Sequence, residues 1–155
     1  MVLVRCLLSQ SSKAAFGYAQ NSDSYMERPK IMTAYQLEVS VVTQYLSDQS
    51  DPNNNDYMFA YTITIKNTGT VAAQLISRHW VITDAKNQVQ EVKGLGLVGH
   101  QPLLQPGQGF EYSSGSSLTT PQGSMKGSYF CVAEDGHRFD VAIPEFVLSL
   151  PRTLH

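Results

Sequence analysis

The chain has 155 residues, of which 42% are hydrophobic and 15% charged, with a net charge of −2 and a pI of about 6.0. This length and hydrophobicity predict one folded domain around a single core and exclude a chain disordered throughout. The weakly acidic balance, without a Lys/Arg-rich run, gives no reason to expect a nucleic-acid partner. No stretch approaches the ~20 apolar residues of a spanning helix, so membrane insertion is not expected. Two cysteines in very different settings, Cys6 and Cys131, indicate no disulfide framework and fit a cytoplasmic protein.

Residues 1–31 differ from the rest of the chain. They hold one short apolar patch, 2–8, which Arg5 interrupts, followed by polar residues without periodicity. A secretory signal would need a longer apolar run and a small-residue cleavage site. We therefore predict that residues 1–31 are a disordered N-terminal extension and that the folded domain spans 32–155, beginning near Met32.

From Tyr35 onward, apolar and polar residues alternate with a period of two, which predicts half-buried β-strands. The first strand is predicted over 37–45, and the polar run 48–56 is a turn. The next strand is the clearest one. Its aromatic and β-branched residues fall on one face, which we expect to be core: Tyr57, Phe59, Tyr61, Ile63 and Ile65.

A strand is also predicted over 74–84, with Ile76, Trp80 and Ile82 on one face and Leu75 and Val81 on the other. Trp80 is expected in the core. A polar turn after Thr83 leads into a short returning strand.

The glycine-rich segment that follows spells G-x-G-x-x-G. A dinucleotide-binding loop of this kind needs a helix opening at its last glycine and an acidic residue about 20 positions on. Here Pro106 ends any helix, and Ser114 stands 20 positions after the first glycine. We therefore predict a mainly structural role in tight turning, with weak anion binding as the alternative. The candidate anion-binding residues are Lys93, Gly94, Gly96 and Gly99.

Further strands are predicted from Phe110, over 125–132 and over 138–143, with a hairpin turn at Asp135-Gly136. Pro144 is expected to interrupt the chain before a last short strand. About seven to nine short strands, and no segment with a helical period, predict an all-β fold, an antiparallel β-sandwich.

No catalytic or metal-binding motif emerges from the reactive side chains. The histidines form neither H-x-H nor H-x-x-x-H, the acidic turn lacks the EF-hand spacing, and the serines around Gly115 do not make G-x-S-x-G. We expect no metal, no cofactor and no enzymatic activity. Cys131 is predicted to be a small buried residue.

Several separate motifs, occurring in one order, resemble the bacterial ApaG family over about 35–155. These motifs are YMFAYTITIKN at 57–67, RHWVIT at 78–83, QPL at 101–103, FEYSSG at 110–115 and DVAIPEF at 140–146.

The resemblance implies an immunoglobulin-like or fibronectin type III-like sandwich. The same domain occurs in a eukaryotic F-box protein and in a polymerase-delta-interacting protein, where it looks like a protein-interaction module. Bacterial members are linked to cobalt resistance and magnesium efflux, and no catalytic residues are established for the family. The resemblance thus implies a non-enzymatic module with an unidentified protein partner. The alternative is a phosphate or nucleotide (pyrophosphate) binding protein that uses the glycine segment 94–99.

Overall fold

The computed structural model of the protein describes residues 33–152, so the predicted extension 1–31 lies outside the described residues. Eight β-strands make up most of the described chain. Two short 3₁₀ turns, Ser47–Gln49 and Pro52–Asn54, lie in the predicted polar turn. The strands are β1 (Leu37–Tyr45), β2 (Tyr57–Asn67), β3 (Ala73–Asp84), β4 (Val89–Leu95), β5 (Leu103–Leu104), β6 (Gly109–Leu118), β7 (Gln122–Ala133) and β8 (Arg138–Ser149).

The strands form two antiparallel sheets. The three-stranded sheet has the order β1-β2-β6, and the five-stranded sheet has the order β4-β3-β7-β8 with β5 paired to β3. One core of buried side chains from both sheets holds them together. The predicted all-β antiparallel sandwich is therefore confirmed. Its largest fully buried side chains include Phe59, Ile63, Leu75, Tyr129 and Leu148.

The core begins with the alternation along β2. Phe59, Ile63 and Ile65 are buried, while the threonines between them are more exposed. The strand ends at Asn67, whose buried side chain is fully hydrogen-bonded. Its amide nitrogen donates to the carbonyls of Val71 and Leu104, both at 2.9 Å, and its oxygen accepts the N–H of the nearby Gly69. Asn67 therefore ties together the ends of several strands without leaving a buried polar atom unpaired.

The predicted faces of β3 were wrong in one respect. Leu75 is completely buried with Trp80 and Ile82, whereas Ile76 is only partly buried. The cause is a register shift between Leu75 and Ser77, where β3 carries an extra residue opposite β7. A bulge of this kind reverses the alternation on one side of it, so a strict period of two fails across it.

The predicted interruption at Pro144 was also wrong, because β8 runs through it without a break. The register with β7 shifts between Met125 and Gly127, and two residues, Pro144 and Glu145, stand opposite one. β8 is an edge strand, where a residue without an N–H group leaves no ladder hydrogen bond unmade on its open side.

Candidate functional site

The glycine segment begins as ordinary β-ladder. Gly94 and Leu95 are the last residues of β4, and they pair with Arg78 and Ser77 of β3. One position on, the N–H of Gly96 donates to the carbonyl of Ile76 at 2.8 Å. The ladder thus continues past the end of the strand and joins the bulge of β3.

A tight hairpin completes the segment. Leu97 and His100 exchange two backbone hydrogen bonds, of 2.6 Å and 3.0 Å. The two residues between them, Val98 and Gly99, both have positive φ, of 50° and 81°. Positive φ at both positions defines a type I′ turn, the favoured connection in two-residue hairpins. Leu97 is completely buried, so the hairpin is anchored in the core.

Each glycine of the motif has a different structural reason. A Cβ at Gly94 would lie 2.9 Å from the guanidinium group of Arg78. Gly96 has a φ of 67°, and a Cβ there would lie 2.7 Å from the carbonyl oxygen of His100. Gly99 has open space around it but needs a φ of 81° for the turn. The motif therefore arises from three independent local requirements.

These contacts bear on the anion-binding prediction. A phosphate-binding nest needs several backbone N–H groups that converge and have no other acceptor. Here the N–H groups of Gly96, Leu97 and His100 donate to protein carbonyls. Binding by Lys93 together with the three glycines stays a prediction, and Lys93 is the charged group that it would use.

Lys93 lies instead beside a concave groove on the outer face of the five-stranded sheet. The groove has a volume of about 510 Å³. At its rim, the Nε2 atom of His79 lies 3.1 Å from a carboxylate oxygen of Glu91. The side chains of this outer face that line the groove are Ser77, His79, Lys93, Leu95, Ser128, Phe130 and Asp140.

Exposed apolar side chains are concentrated on this sheet. Four of the six large hydrophobic residues that are exposed in the described chain belong to its strands. Leu95 is the most exposed of all at 77%, and strand pairing places the others on the same outer face. The four are Val89, Leu95, Leu103 and Val147, and we call this set the apolar surface.

The sequence did not single out this surface, although it contained the signal. Val89 and Leu95 share their face of β4 with Glu91 and Lys93, and the half-buried Val92 lies on the opposite face. The available clue was that apolar residues share one face of a strand with charged residues, which indicates that this face is exposed. The aromatic side chains predicted as core are buried: Phe59 (1% exposed), Tyr61 (6%) and Trp80 (3%), while Tyr57 is partly buried.

Cys131 and two hydrogen-bonded tyrosines lie inside the core, away from this groove. Burial raises the pKa of Cys131 to about 12, so its thiol is a weak nucleophile at neutral pH. Tyr112 and Tyr129 share a buried hydroxyl–hydroxyl hydrogen bond of 2.6 Å. Within 33–152, no three His, Cys, Asp or Glu side chains come together to hold a metal ion. In the same part of the chain, no helix has the length and apolarity that crossing a membrane requires.

The fold and the groove define a small all-β sandwich domain with a partly apolar outer sheet face. The model of the ApaG domain matches residues 47–133. The chain belongs to the ApaG family, as the resemblance of its motifs predicted.

Individual relatives agree with this assignment. The chain is 64% identical over 124 residues to Protein ApaG of Ralstonia nicotianae, which covers 80% of this chain and 100% of that protein. It is 68% identical over 121 residues to Protein ApaG of Thiobacillus denitrificans, covering 78% of this chain and 95% of the relative. The crystal structure of a Bordetella pertussis protein described as ApaA is similar, with a TM-score of 0.77 and 56% identity, and covers 79% of this chain and 99% of that one.

Proposed function

We propose that the protein is a non-enzymatic interaction module that binds a protein partner through the outer face of its five-stranded sheet. The observation that carries this proposal is Leu95, the most exposed large apolar side chain, which lines the groove with Phe130 on a sheet face that also exposes Val89, Leu103 and Val147. Contiguous exposed apolar residues rimmed by polar ones are typical of protein-binding sites on soluble domains. An immunoglobulin-like or fibronectin type III-like sandwich, which the resemblance implies, would suit such a role.

The composition of the face fits the usual anatomy of an interface. Leu95 and the half-buried Phe130 line the groove on either side of Ser77, and both would lose contact with water under a partner. Complete burial of a leucine or phenylalanine side chain is worth about 1.5–3 kcal/mol. Charged groups of both signs surround these two apolar residues, namely Lys93, Asp140 and the His79–Glu91 pair. Such a rim selects a partner by electrostatic complementarity.

The links to cobalt resistance and magnesium efflux, which come from the family resemblance, are compatible with this function. A module that contacts a metal-ion transporter or its regulator would alter metal tolerance without itself holding a metal ion.

The test is affinity capture from the native cell with matched surface variants. Leu95→Asp places a charge in the groove, at the most exposed residue of the apolar surface. Val42→Asp places the same charge on the three-stranded sheet, at a residue that is also strongly exposed, at 72%. We expect Leu95→Asp to reduce recovery of the bound partner at least tenfold and Val42→Asp to leave it unchanged. Equal recovery with both variants, each folded as the parent is, would contradict the proposal.

The second candidate is binding of a phosphate group or nucleotide by the groove. The observation in its favour is that Lys93 lines the groove together with the hydroxyl-bearing Ser77 and Ser128. A single exposed lysine is a weak and salt-sensitive attraction. For this reason we place it behind protein binding.

A further inference from the structure

The edge strands of the two sheets are protected against pairing to different degrees. β8 carries Pro144 in a bulge, β1 lies beside β8 of the other sheet, and β4 is a short strand with Glu91 and Lys93. β6 lacks a bulge and a covering strand, and Glu111 is its one charged residue. It pairs with β2 in unbroken register and contains neither Pro, Lys nor Arg. A regular edge of this kind is a template for an added strand.

The hydrogen-bond pattern identifies the groups that the edge presents. The N–H of Asn67 donates to the carbonyl of Gln108 at 2.9 Å, which shows that odd-numbered residues of β2 bond to even-numbered ones of the β6 strand. Because bonded pairs alternate along an antiparallel ladder, the odd-numbered residues of β6 point their backbone groups away from β2. Among the described residues, no other strand pairs with them. The edge-facing residues are Gly109, Glu111, Ser113, Gly115 and Ser117.

The side chains of these residues leave the edge clear. Ser113 shares a hydrogen bond of 2.7 Å with Thr62 of β2. Glu111 accepts a hydrogen bond of 3.2 Å from the hydroxyl of Thr64, and Ser117 donates one of 2.6 Å to Asp56. Each contact draws a side chain inward over the three-stranded sheet. None of these three side chains therefore extends across the path of an approaching backbone.

The charges around this edge select the chemistry of its partner. Glu111 lies at one end of the edge, and Asp56 lies at the other, in a backbone bridge with Asp51. On the same outer face and its adjoining turn, Lys66 is the one positive side chain of the described residues. Residues 111 and 117 are separated by about 20 Å along an extended strand. The edge therefore complements a strand with two positive charges that lie far apart on one face.

We propose that the open edge of β6 accepts an extended basic peptide segment of a protein partner as a fourth strand of the small sheet. The segment would carry Lys or Arg at two positions six residues apart, one near Glu111 and one near Asp56. An even spacing keeps both basic side chains on the same face of the added strand. The backbone ladder would supply affinity, and the two charges would set register and choice of partner.

A second copy of this chain fits the same edge poorly. An antiparallel pairing that overlaps residues 111–117 of both copies places Glu111 opposite Ser117 of the other copy. Ser117 donates a hydrogen bond to the carboxylate of Asp56. The carboxylates of Glu111 from one copy and Asp56 from the other would therefore come close together at each end. Like charges opposite each other across a strand pair are destabilising.

The test uses a fluorescein-labelled, end-capped peptide of sequence TKVTVTVKT and its acidic counterpart TEVTVTVET. We expect the basic peptide to bind the full chain at least tenfold more tightly than the acidic one, with an affinity that falls as salt is added. Amide resonances of β6 should shift on titration, and those of β4 should not. Equal binding of the two peptides, or shifts confined to β4, would overturn the proposal.

Variants separate the backbone contribution from the charge contribution. Ser113→Pro removes an edge-facing N–H without touching the ladder to β2, and we expect it to weaken peptide binding at least tenfold. Glu111→Gln is conservative and exposed, and it should weaken binding about threefold to tenfold in low salt. Glu38→Gln, on β1 at the far edge of the same face, is the matched control and should change nothing. Undiminished binding by folded Ser113→Pro and by Glu111→Gln would overturn the proposal.

Two further results distinguish this edge from its alternatives. Leu95→Asp should bind the basic peptide normally, because the apolar surface belongs to the other sheet. The edge and the proposed function can therefore fail separately. Analytical ultracentrifugation of concentrated protein tests for a dimer. A dimer that is present in the parent chain and absent in Ser113→Pro would overturn the peptide-binding proposal and assign the edge to a second copy.

Discussion

The guanidinium group of Arg78 occupies the space that a side chain at position 94 would need. Its Nη1 atom donates to the carbonyls of Leu95 and Gly96, at 3.0 Å and 2.9 Å. These two bonds fix the end of β4 against β3. Glycine is therefore required at position 94 because a neighbouring side chain fills the space. At positions 96 and 99 it is required because the backbone has positive φ. The distinction gives a quantitative prediction for the latter two glycines.

Alanine should cost more at Gly96 than at Gly99. Both residues have positive φ, which costs an L-residue roughly 1–2 kcal/mol. Only at Gly96 would the new methyl group also meet a carbonyl oxygen, at 2.7 Å. We expect Gly96→Ala to lower the free energy of unfolding by at least about 1 kcal/mol more than Gly99→Ala, because overpacking adds to the strain. Urea denaturation of the two variants measures this difference, and equal losses would contradict it.

Trp80 should be among the most costly residues to truncate. It is 3% exposed, and its ring packs against Tyr61, Tyr129 and Phe146 with centroid separations of 5.6–6.4 Å. We expect Trp80→Ala to destabilise the fold by about 3–5 kcal/mol, the usual cost of deleting a large buried aromatic side chain. Val42→Ala, at an exposed position, should change stability by less than ~0.5 kcal/mol. A loss below about 1 kcal/mol for Trp80→Ala would show that the core tolerates the cavity.

At the scale of strands, alternation in the sequence predicted most of the sheets but not their irregularities. Glycines in the 94–99 segment indicated a tight turn, yet the hairpin at Val98-Gly99 was not recognisable, because β-branched valine rarely takes positive φ. The bulge in β3 depends on how β7 pairs with it, which local propensity does not encode. Pro144 similarly stays in a strand because β8 is an edge strand. The bulge in β3 and the continuity of β8 depend on how distant strands pair, and the pattern of a single strand carries no information about that pairing.

The glycine segment offers a prediction at the same scale. Since its backbone donors serve the ladder and the hairpin, we expect no binding of ATP, GTP, diadenosine tetraphosphate or pyrophosphate tighter than about millimolar, given one exposed lysine. Isothermal titration calorimetry is the measurement, and Lys93→Gln is its control. A saturable micromolar heat that disappears in folded Gly96→Ala would favour the nucleotide-binding alternative.

At the scale of the whole molecule, the sandwich encloses several ionisable groups that it holds in their neutral forms. Burial is the main cause that raises the pKa of Tyr61, Tyr112 and Tyr129 above 10.0, and it raises the pKa of Cys131 from 9.0 to about 12. The folded state therefore releases these protons at higher pH than the unfolded state does. Their favourable contribution is complete below the unfolded pKa values and is lost as the pH rises beyond them.

Stability should consequently fall on the alkaline side. We expect these groups to leave the free energy of unfolding unchanged up to about pH 8, and to lower it progressively above pH 9, first through Cys131 and then through the tyrosines. Urea denaturation from pH 8 to pH 11 checks this. Cys131→Ala should remove the earliest part of the decline. Constant or rising stability over that range would contradict the expectation.

The domain boundary gives the second prediction for the whole molecule. The carbonyl of Ala34 accepts the N–H groups of Thr70 and Val71, and the ring of Tyr35 stacks on His137 at 4.0 Å. The hydroxyl of Tyr35 also donates to Asp135. These anchors all lie beyond Met32. A chain that begins at Met32 should therefore keep its melting temperature within a few degrees.

A chain that begins at Leu37 is the matched comparison, because it lacks these anchors. We expect its melting temperature to fall by several degrees, the effect of losing about 2 kcal/mol of the free energy of unfolding. Scanning calorimetry compares the two truncated chains with the full one. Loss of cooperative unfolding in the chain that begins at Met32 would show that residues 1–31 support the sandwich.

Trp80 is the single tryptophan of the sequence, and it lies where the two sheets meet. The intrinsic tryptophan emission of the protein therefore comes from one ring shielded from water. Its wavelength should be short in the native state and should shift to the red when the sheets separate. A ligand on an outer face or a strand at the β6 edge should leave that emission wavelength unchanged. The chain thus carries its own optical label, one that separates loss of the fold from occupation of either proposed surface.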